Sequence, residues 1–195
     1  WQSWRYALDA DGVKVTFDQF KASFGQRNDR ILRVWLGPDA TIERINRVAD
    51  AKEGEYRRLA ETHGLTPLPG AAHWLERLQQ EGWRQAIASS APRLNVEVML
   101  RALHLTLYFD AIVSSEDVKH GKPDPEVFLT AAARLGVPPS HAVVVEDAVA
   151  GVEAARRAGM RSVGVSMTTR LDADVAVTSL AELSPDTFDR LVLSP

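Results

Sequence analysis

At 195 residues, 45% hydrophobic and 25% charged, the chain has the make-up of a globular protein with room for one domain, or a core and a small appendage. A formal net charge of −3 with no Lys/Arg run argues against nucleic-acid binding. The absence of Cys excludes disulfides and thiolate metal sites, no apolar run is long enough to cross a bilayer, and no signal peptide is visible, so a cytoplasmic monomer without nucleic-acid or membrane partners is expected.

Up to about residue 66 the apolar residues fall at helical spacing: Trp1, Trp4 and Leu8, then Phe17, Phe20 and Phe24, then Ile31, Leu32 and Trp35. Thr16 and Gln19 have capping-box form, Asn28 stands where it could cap the third segment, and a long pattern runs from Ile42 through Ile45, Ala49 and Tyr56 to Leu59. Residues 1–66 therefore read as an all-helical unit. LDADGV (8–13) offers two carboxylates one residue apart, a spelling that suits phosphoryl transfer and equally suits an exposed turn.

A Pro/Gly segment near Pro67–Gly70 separates this unit from residues 67–195, where helices alternate with short β-branched runs. The order is helix at 74–78, strand at 84–89, helix at 94–103, strand at 110–114, helix at 125–135, strand at 142–146, helix at 148–159, strand at 161–166, and a short final strand at 175–179. Asp124, Pro125 and Gly136 supply the N-cap, first-turn proline and C-terminal glycine of the 125–135 helix. Repeated βα units imply a Rossmann-like, doubly wound parallel sheet, in which ligands gather at the carboxyl ends of the strands.

Three groups stand at those ends. Ser89 and Ser90 could bind a phosphate-sized anion with hydroxyls and backbone N–H groups, or could merely cap the next helix. In HGKPDP (120–125), Gly121 allows close backbone approach and Pro123 holds Lys122 extended, so that its ammonium could offset phosphoryl charge; the competing reading is an exposed lysine in a turn. Glu146 and Asp147 repel each other at the mouth of a buried strand, which invites Mg²⁺, although Asp147 could simply cap the helix that follows.

In combination, IASSAPR (87–93), Lys122 of GKPDP and EDAVAGVEAARRAGM (146–160) resemble the haloacid dehalogenase superfamily, subfamily I, the β-phosphoglucomutase-like phosphatases, with residues 1–66 similar to that family's inserted helical cap. The resemblance implies a Mg²⁺-dependent enzyme acting on a small phosphorylated metabolite such as a sugar phosphate, through an aspartyl-phosphate intermediate. Ser89, Ser90 and Lys122 would bind the phosphoryl group, with Ser89 and Lys122 counted as catalytic, and Asp147 with Glu146 would hold Mg²⁺. Arg27 and Lys52 of the cap, the latter standing in an apolar register where it either snorkels or points into the cleft, would bind substrate together with Arg93 and Asn95.

The family's nucleophile lies in a D-x-D-G motif ending the first strand, whereas LDADGV follows an amphipathic helix, so Asp9 and Asp11 are expected in a loop between cap helices. The nucleophile strand is then expected in front of Trp1. Phosphatase action is the leading expectation, a β-phosphoglucomutase and a non-catalytic metabolite-binding relative are the alternatives, and the absence of a G-x-S-x-G elbow and of His metal spacing disfavours serine-hydrolase and zinc chemistry.

Overall fold

The structure, a computed structural model, describes residues 1–193. Its first third is helical: α1 (Gln2–Ala10), α2 (Phe17–Ala22), α3 (Asn28–Leu36) and the long α4 (Ile42–His63). Thr16 and Gln19 close the expected capping box on α2, and the Thr41 hydroxyl accepts from the Arg44 N–H to start α4. Asn28 is not a cap. It is the first residue of α3, behind Arg27, and its side chain serves elsewhere. Trp4, Leu8, Ile31, Leu32, Ile45 and Val48 bury together and fix α1 and α3 against α4.

After α5 (Ala71–Gln80) the chain alternates: β1 (Ala86–Ala88), α6 (Arg93–Ala102), β2 (Ala111–Val113), α7 (Glu126–Leu135), β3 (Val143–Glu146), α8 (Val149–Arg157), β4 (Arg161–Val165) and β5 (Val175–Val177), ending in α9 (Thr187–Leu193). The sequence pattern did not single out α9, a short helix that buries Phe188 and Leu191 against Trp74 and Val163. Gly136 takes the left-handed conformation that stops α7 (φ 69°, ψ 32°), while Pro125 sits just before the first helical residue, and Asp124 Oδ1 accepts from the Glu126 N–H at 3.0 Å.

Every strand pairing is parallel, but the strands form two sheets. β1 pairs with β2, Ile87 opposite Ile112; β3–β4–β5 form the other, with Val145 opposite Val163 and Val163 opposite Val175. One apolar layer spans both, because Val113 of β2, Phe128 and Ala131 of α7, Val144 of β3 and Ala155 of α8 share a cluster. On the opposite side α5 gives Trp74 and Leu78 to the cluster over β4 and Leu75 to the one over β1. Among the described residues, neither β1 nor β3 has a strand on its second side. β1 is only half-buried and Val145 remains 45% exposed, as befits strands with an open edge. The edge of β2 is guarded differently, since Arg93 and Arg134 both donate to the Ile112 carbonyl. Among the described residues, no helix is long and apolar enough to cross a membrane.

Candidate active site

The carboxyl ends of β1 and β3 are joined by one side chain. Lys122 is 6% exposed, and its Nζ donates to Ala88 O at the end of β1 (3.2 Å) and to Glu146 Oε2 at the end of β3 (2.6 Å). It also lies over the Phe128 ring, 4.7 Å from the centroid. The loop that delivers it is tied down, since the Glu126 carboxylate accepts from the N–H groups of Lys119 and His120. Lys122 is thus neither exposed nor free to swing, and the exposed-turn reading fails.

Glu146 is a holder. One oxygen takes Lys122, and the other accepts from the backbone N–H groups of Asp147 and Ala148 at 3.1 and 3.2 Å. Room for it comes from Gly151 in α8, where a Cβ would stand 2.1 Å from the Glu146 carboxyl carbon. Both Glu146 oxygens thus already have protein partners, and any Mg²⁺ it held would share them with Lys122 and the two backbone N–H groups.

Asp147 differs. The helix behind it starts from Ala148 with no side-chain cap, so the capping reading of Asp147 fails as well. Partial desolvation, then the neighbouring Glu146, pushes its carboxyl up to about 6, although the residue as a whole stays open to solvent. A divalent cation would relieve that strain, and one open carboxylate beside a phosphate and water is an ordinary Mg²⁺ donor set. The residues present therefore fit Mg²⁺ through Asp147.

Ser89 follows directly on the carbonyl that Lys122 grips; its N–H pairs with Val113 O at 2.9 Å and its Oγ accepts from the Ala91 N–H at 3.1 Å. Ser90 Oγ instead donates to Gly25 O in the helical unit (2.8 Å). Neither serine caps α6, which starts from Pro92 without a side-chain cap.

The helical unit closes over these loops at Gly25–Arg27. Gly25 lies so near Ala148 that a Cβ there would come within 2.8 Å of the alanine methyl. Arg27 Nη1 donates to Ser115 O (3.1 Å) and Val118 O (3.0 Å), its stem lies across Gly121, and its Nε faces Asp29. One turn of the helical unit therefore touches the loops after β1, β2 and β3 at once, and Arg27 ties that turn to core carbonyls.

The other expected substrate residues are also engaged. Arg93 pairs with Asp117 at 2.6 Å and also donates to the Ile112 carbonyl. Asn95 is 3% exposed, donates to Glu53 Oε2 and accepts from Arg57 Nη1 at 2.7 Å. Lys52 does not snorkel: its side chain is 14% exposed, its Nζ is 2.8 Å from Glu53 Oε1, and it stands over the rings of Trp4 and Tyr56. Glu53 and Arg57 escaped the sequence reading, although Glu53 falls eight residues after Ile45 on the covered side of α4 and was the signal available.

Residues 1–165 match the family described as haloacid dehalogenase-like hydrolase. Among curated relatives, the chain is 38% identical to the protein SUPPRESSOR OF QUENCHING 1, chloroplastic, of Arabidopsis thaliana over 80% of its own length but only 15% of that protein's. It is 34% identical to the validoxylamine A 7'-phosphate phosphatase of Streptomyces hygroscopicus subsp. limoneus, covering 80% of each chain. Among solved structures, a β-phosphoglucomutase from Clostridium difficile superposes with a TM-score of 0.88 at 26% identity, covering 98% of this chain and 88% of the other.

Proposed function

The chain belongs to the haloacid dehalogenase-like hydrolases, in the β-phosphoglucomutase-like phosphatase branch of subfamily I, and from that premise we propose that it catalyses Mg²⁺-dependent hydrolysis of a small phosphorylated metabolite, a sugar phosphate first among them. The observation that carries the proposal is the buried Lys122 ammonium, pinned between Ala88 O and Glu146 with the open carboxylate of Asp147 beside it.

In this reading Lys122 and the Ser89 hydroxyl and backbone receive the phosphoryl oxygens, and Ser90 keeps the helical cap seated above them. Asp147 holds Mg²⁺. The cation, when bound, offsets charge on the phosphoryl group as it transfers. The attacking carboxylate, which forms the aspartyl-phosphate, belongs to a strand lying between the open edges of β1 and β3, the position from which it would face Lys122. Asp9 and Asp11 do not serve, for they belong to α1 and its C-cap. Gly25–Arg27 then excludes water from the closed site and Lys52 reads the substrate from the cap side. We place the enzyme in the cytoplasm as a monomer.

A second reading, the return of the phosphoryl group to a sugar, has in its favour the 0.88 TM-score to a β-phosphoglucomutase. Incubating the full-length protein with a panel of hexose phosphates, with Mg²⁺ or with EDTA, separates the two. Phosphate release that EDTA abolishes supports hydrolysis, and conversion of a hexose 1-phosphate to its 6-phosphate without release supports the mutase. Turnover indifferent to EDTA, or none on any ester, refutes both.

A further inference from the structure

The cap and the sheet half also meet where α4 packs on α6, at a cluster that the phosphoryl chemistry does not use. Glu53 of α4 is 4% exposed, and a carboxylate that deep must have its charge and lone pairs met. Three donors meet them: Asn28 Nδ2 and Lys52 Nζ at Oε1, and Asn95 Nδ2 at Oε2. The first two belong to the cap. Asn95 belongs to α6, and its own carbonyl accepts from Arg57 Nη1 of α4 at 2.7 Å. The Asn95 amide is therefore held at both ends by the cap, and α4 packs along α6 at this point.

We propose that Glu53 and Asn95 form a latch through which closure of the cap positions Lys52. Both bonds that cross the interface exist only while α4 lies on α6. When it does, Asn95 holds Oε2 of the Glu53 carboxylate, which narrows the arc open to the other oxygen. That other oxygen holds the Lys52 ammonium against Trp4 and Tyr56, 5.0 and 5.7 Å from their ring centroids. Separation of α4 from α6 releases Oε2 and leaves Glu53 held only at Oε1 by Asn28 and Lys52 of the cap, which widens the range its carboxylate and Lys52 can sample. Docking and substrate reading thus become one event. Glu53 and Asn95 are positioning residues, and they act on substrate only through Lys52, the one step that rests on the function proposed above.

The test compares Glu53→Gln, which cannot accept from donors on both sides, with Asn95→Leu, which removes both interface bonds at similar volume. The first readout needs no substrate: amide hydrogen exchange in the full-length protein should quicken in α4 and α6 while β3 and β4 stay as protected as before. The second is kinetic. Each variant should lose about tenfold or more in kcat/KM for the best sugar phosphate, with a much smaller loss for a generic aryl phosphate, and the double variant should be no worse than either single one. Unchanged exchange in α4 and α6, or losses that add in the double variant, would overturn the latch. If Asn95→Leu also loosens β3 and β4, Arg57→Met decides, because it removes only the outer bond to Asn95 and should quicken α4 and α6 alone. Absence of any phosphatase or mutase activity in the parent would sink the proposed function while the exchange readout still judged the latch.

Discussion

Lys122 Nζ and Glu146 Oε2 stand 2.6 Å apart, each side chain less than a tenth exposed, and the pair binds the loop after β2 to the end of β3. Two charges that deep persist only because they meet each other and spend their remaining hydrogen-bonding groups on backbone. The arrangement divides the two neighbouring acids by role. Glu146 fixes the lysine, while the exposed Asp147, pushed up by partial desolvation and by Glu146, is the acid that the proposed function gives to a divalent ion.

Lys122→Ala should therefore fail twice. It removes charge from a desolvated phosphoryl site, which should cost on the order of 3 kcal/mol at the transition state, roughly a hundredfold in rate or more. It also strands Glu146 without its partner, and losing one half of a buried pair costs about 3–5 kcal/mol of stability. Steady-state kinetics and chemical denaturation of the same preparation measure the two. A variant that melts like the parent would show that the pair is not the support described here.

Asp147→Asn should separate activity from fold. Its side chain caps nothing, since α8 starts from Ala148 without a side-chain cap, so melting should shift little. Mg²⁺-dependent turnover should disappear, and a calorimetric Mg²⁺ titration of the full-length protein should lose its binding heat. Retained binding heat would move the ligand role elsewhere.

How much of this could be read from residue order depends on the range of the interaction. Helices and strands follow from periodicity and caps local to each segment, so α4, α7 and all five strands stand close to where their patterns put them. The grouping of Ser89, Lys122 and Asp147 followed from a topological rule, that parallel strands deliver their loops to one end. What escaped was set by partners distant in sequence. Arg27 reaches carbonyls 88 and 91 residues away, Asn95 meets Glu53 across 42, and nothing local tells an arginine that clamps a loop from one that binds a phosphate. The alternation of strands also carries no mark of which neighbours pair, so the division into two sheets had to be seen.

Asp117 is the clearest of these distant partnerships and gives a pH prediction. It accepts from the Ser114 N–H (2.8 Å) and hydroxyl (2.6 Å) and from Arg93 and Arg134 (2.6 Å each). The Arg134 hydrogen bond, then those from Ser114, hold its carboxyl well below the usual carboxylate range. A depressed folded pKa means that the stabilisation is fully present above the unfolded value, about 3.9, and is lost as pH falls toward the folded one. Asp117→Asn should cost roughly 1–3 kcal/mol at pH 7, and the gap between parent and variant should narrow below about pH 4. Denaturant melts at both pH values measure it, and a gap that widens in acid would contradict the assignment.

LDADGV supplies the last test, because its two acids differ more than their spacing suggests. Asp9 lies in the last turn of α1, 64% exposed, with only Arg5 near it at 4.0 Å. Asp11 was expected in an open loop, yet its side chain is 9% exposed and ties the end of α1 to α4, Oδ2 taking Arg44 and Oδ1 taking Arg47, each at 2.7 Å. Both arginines are themselves partly in solvent, which limits the pair's worth to about 1 kcal/mol. Asp9→Asn should leave stability within about 0.5 kcal/mol of the parent, while Asp11→Asn should lower it by that larger amount. Neither change reaches Lys122 or Asp147, so hydrolysis of an aryl phosphate should stay within a few-fold of the parent in both variants. Abolished turnover in Asp9→Asn, with an unchanged melt, would make that carboxylate the nucleophile and would remove the reason for placing one between β1 and β3.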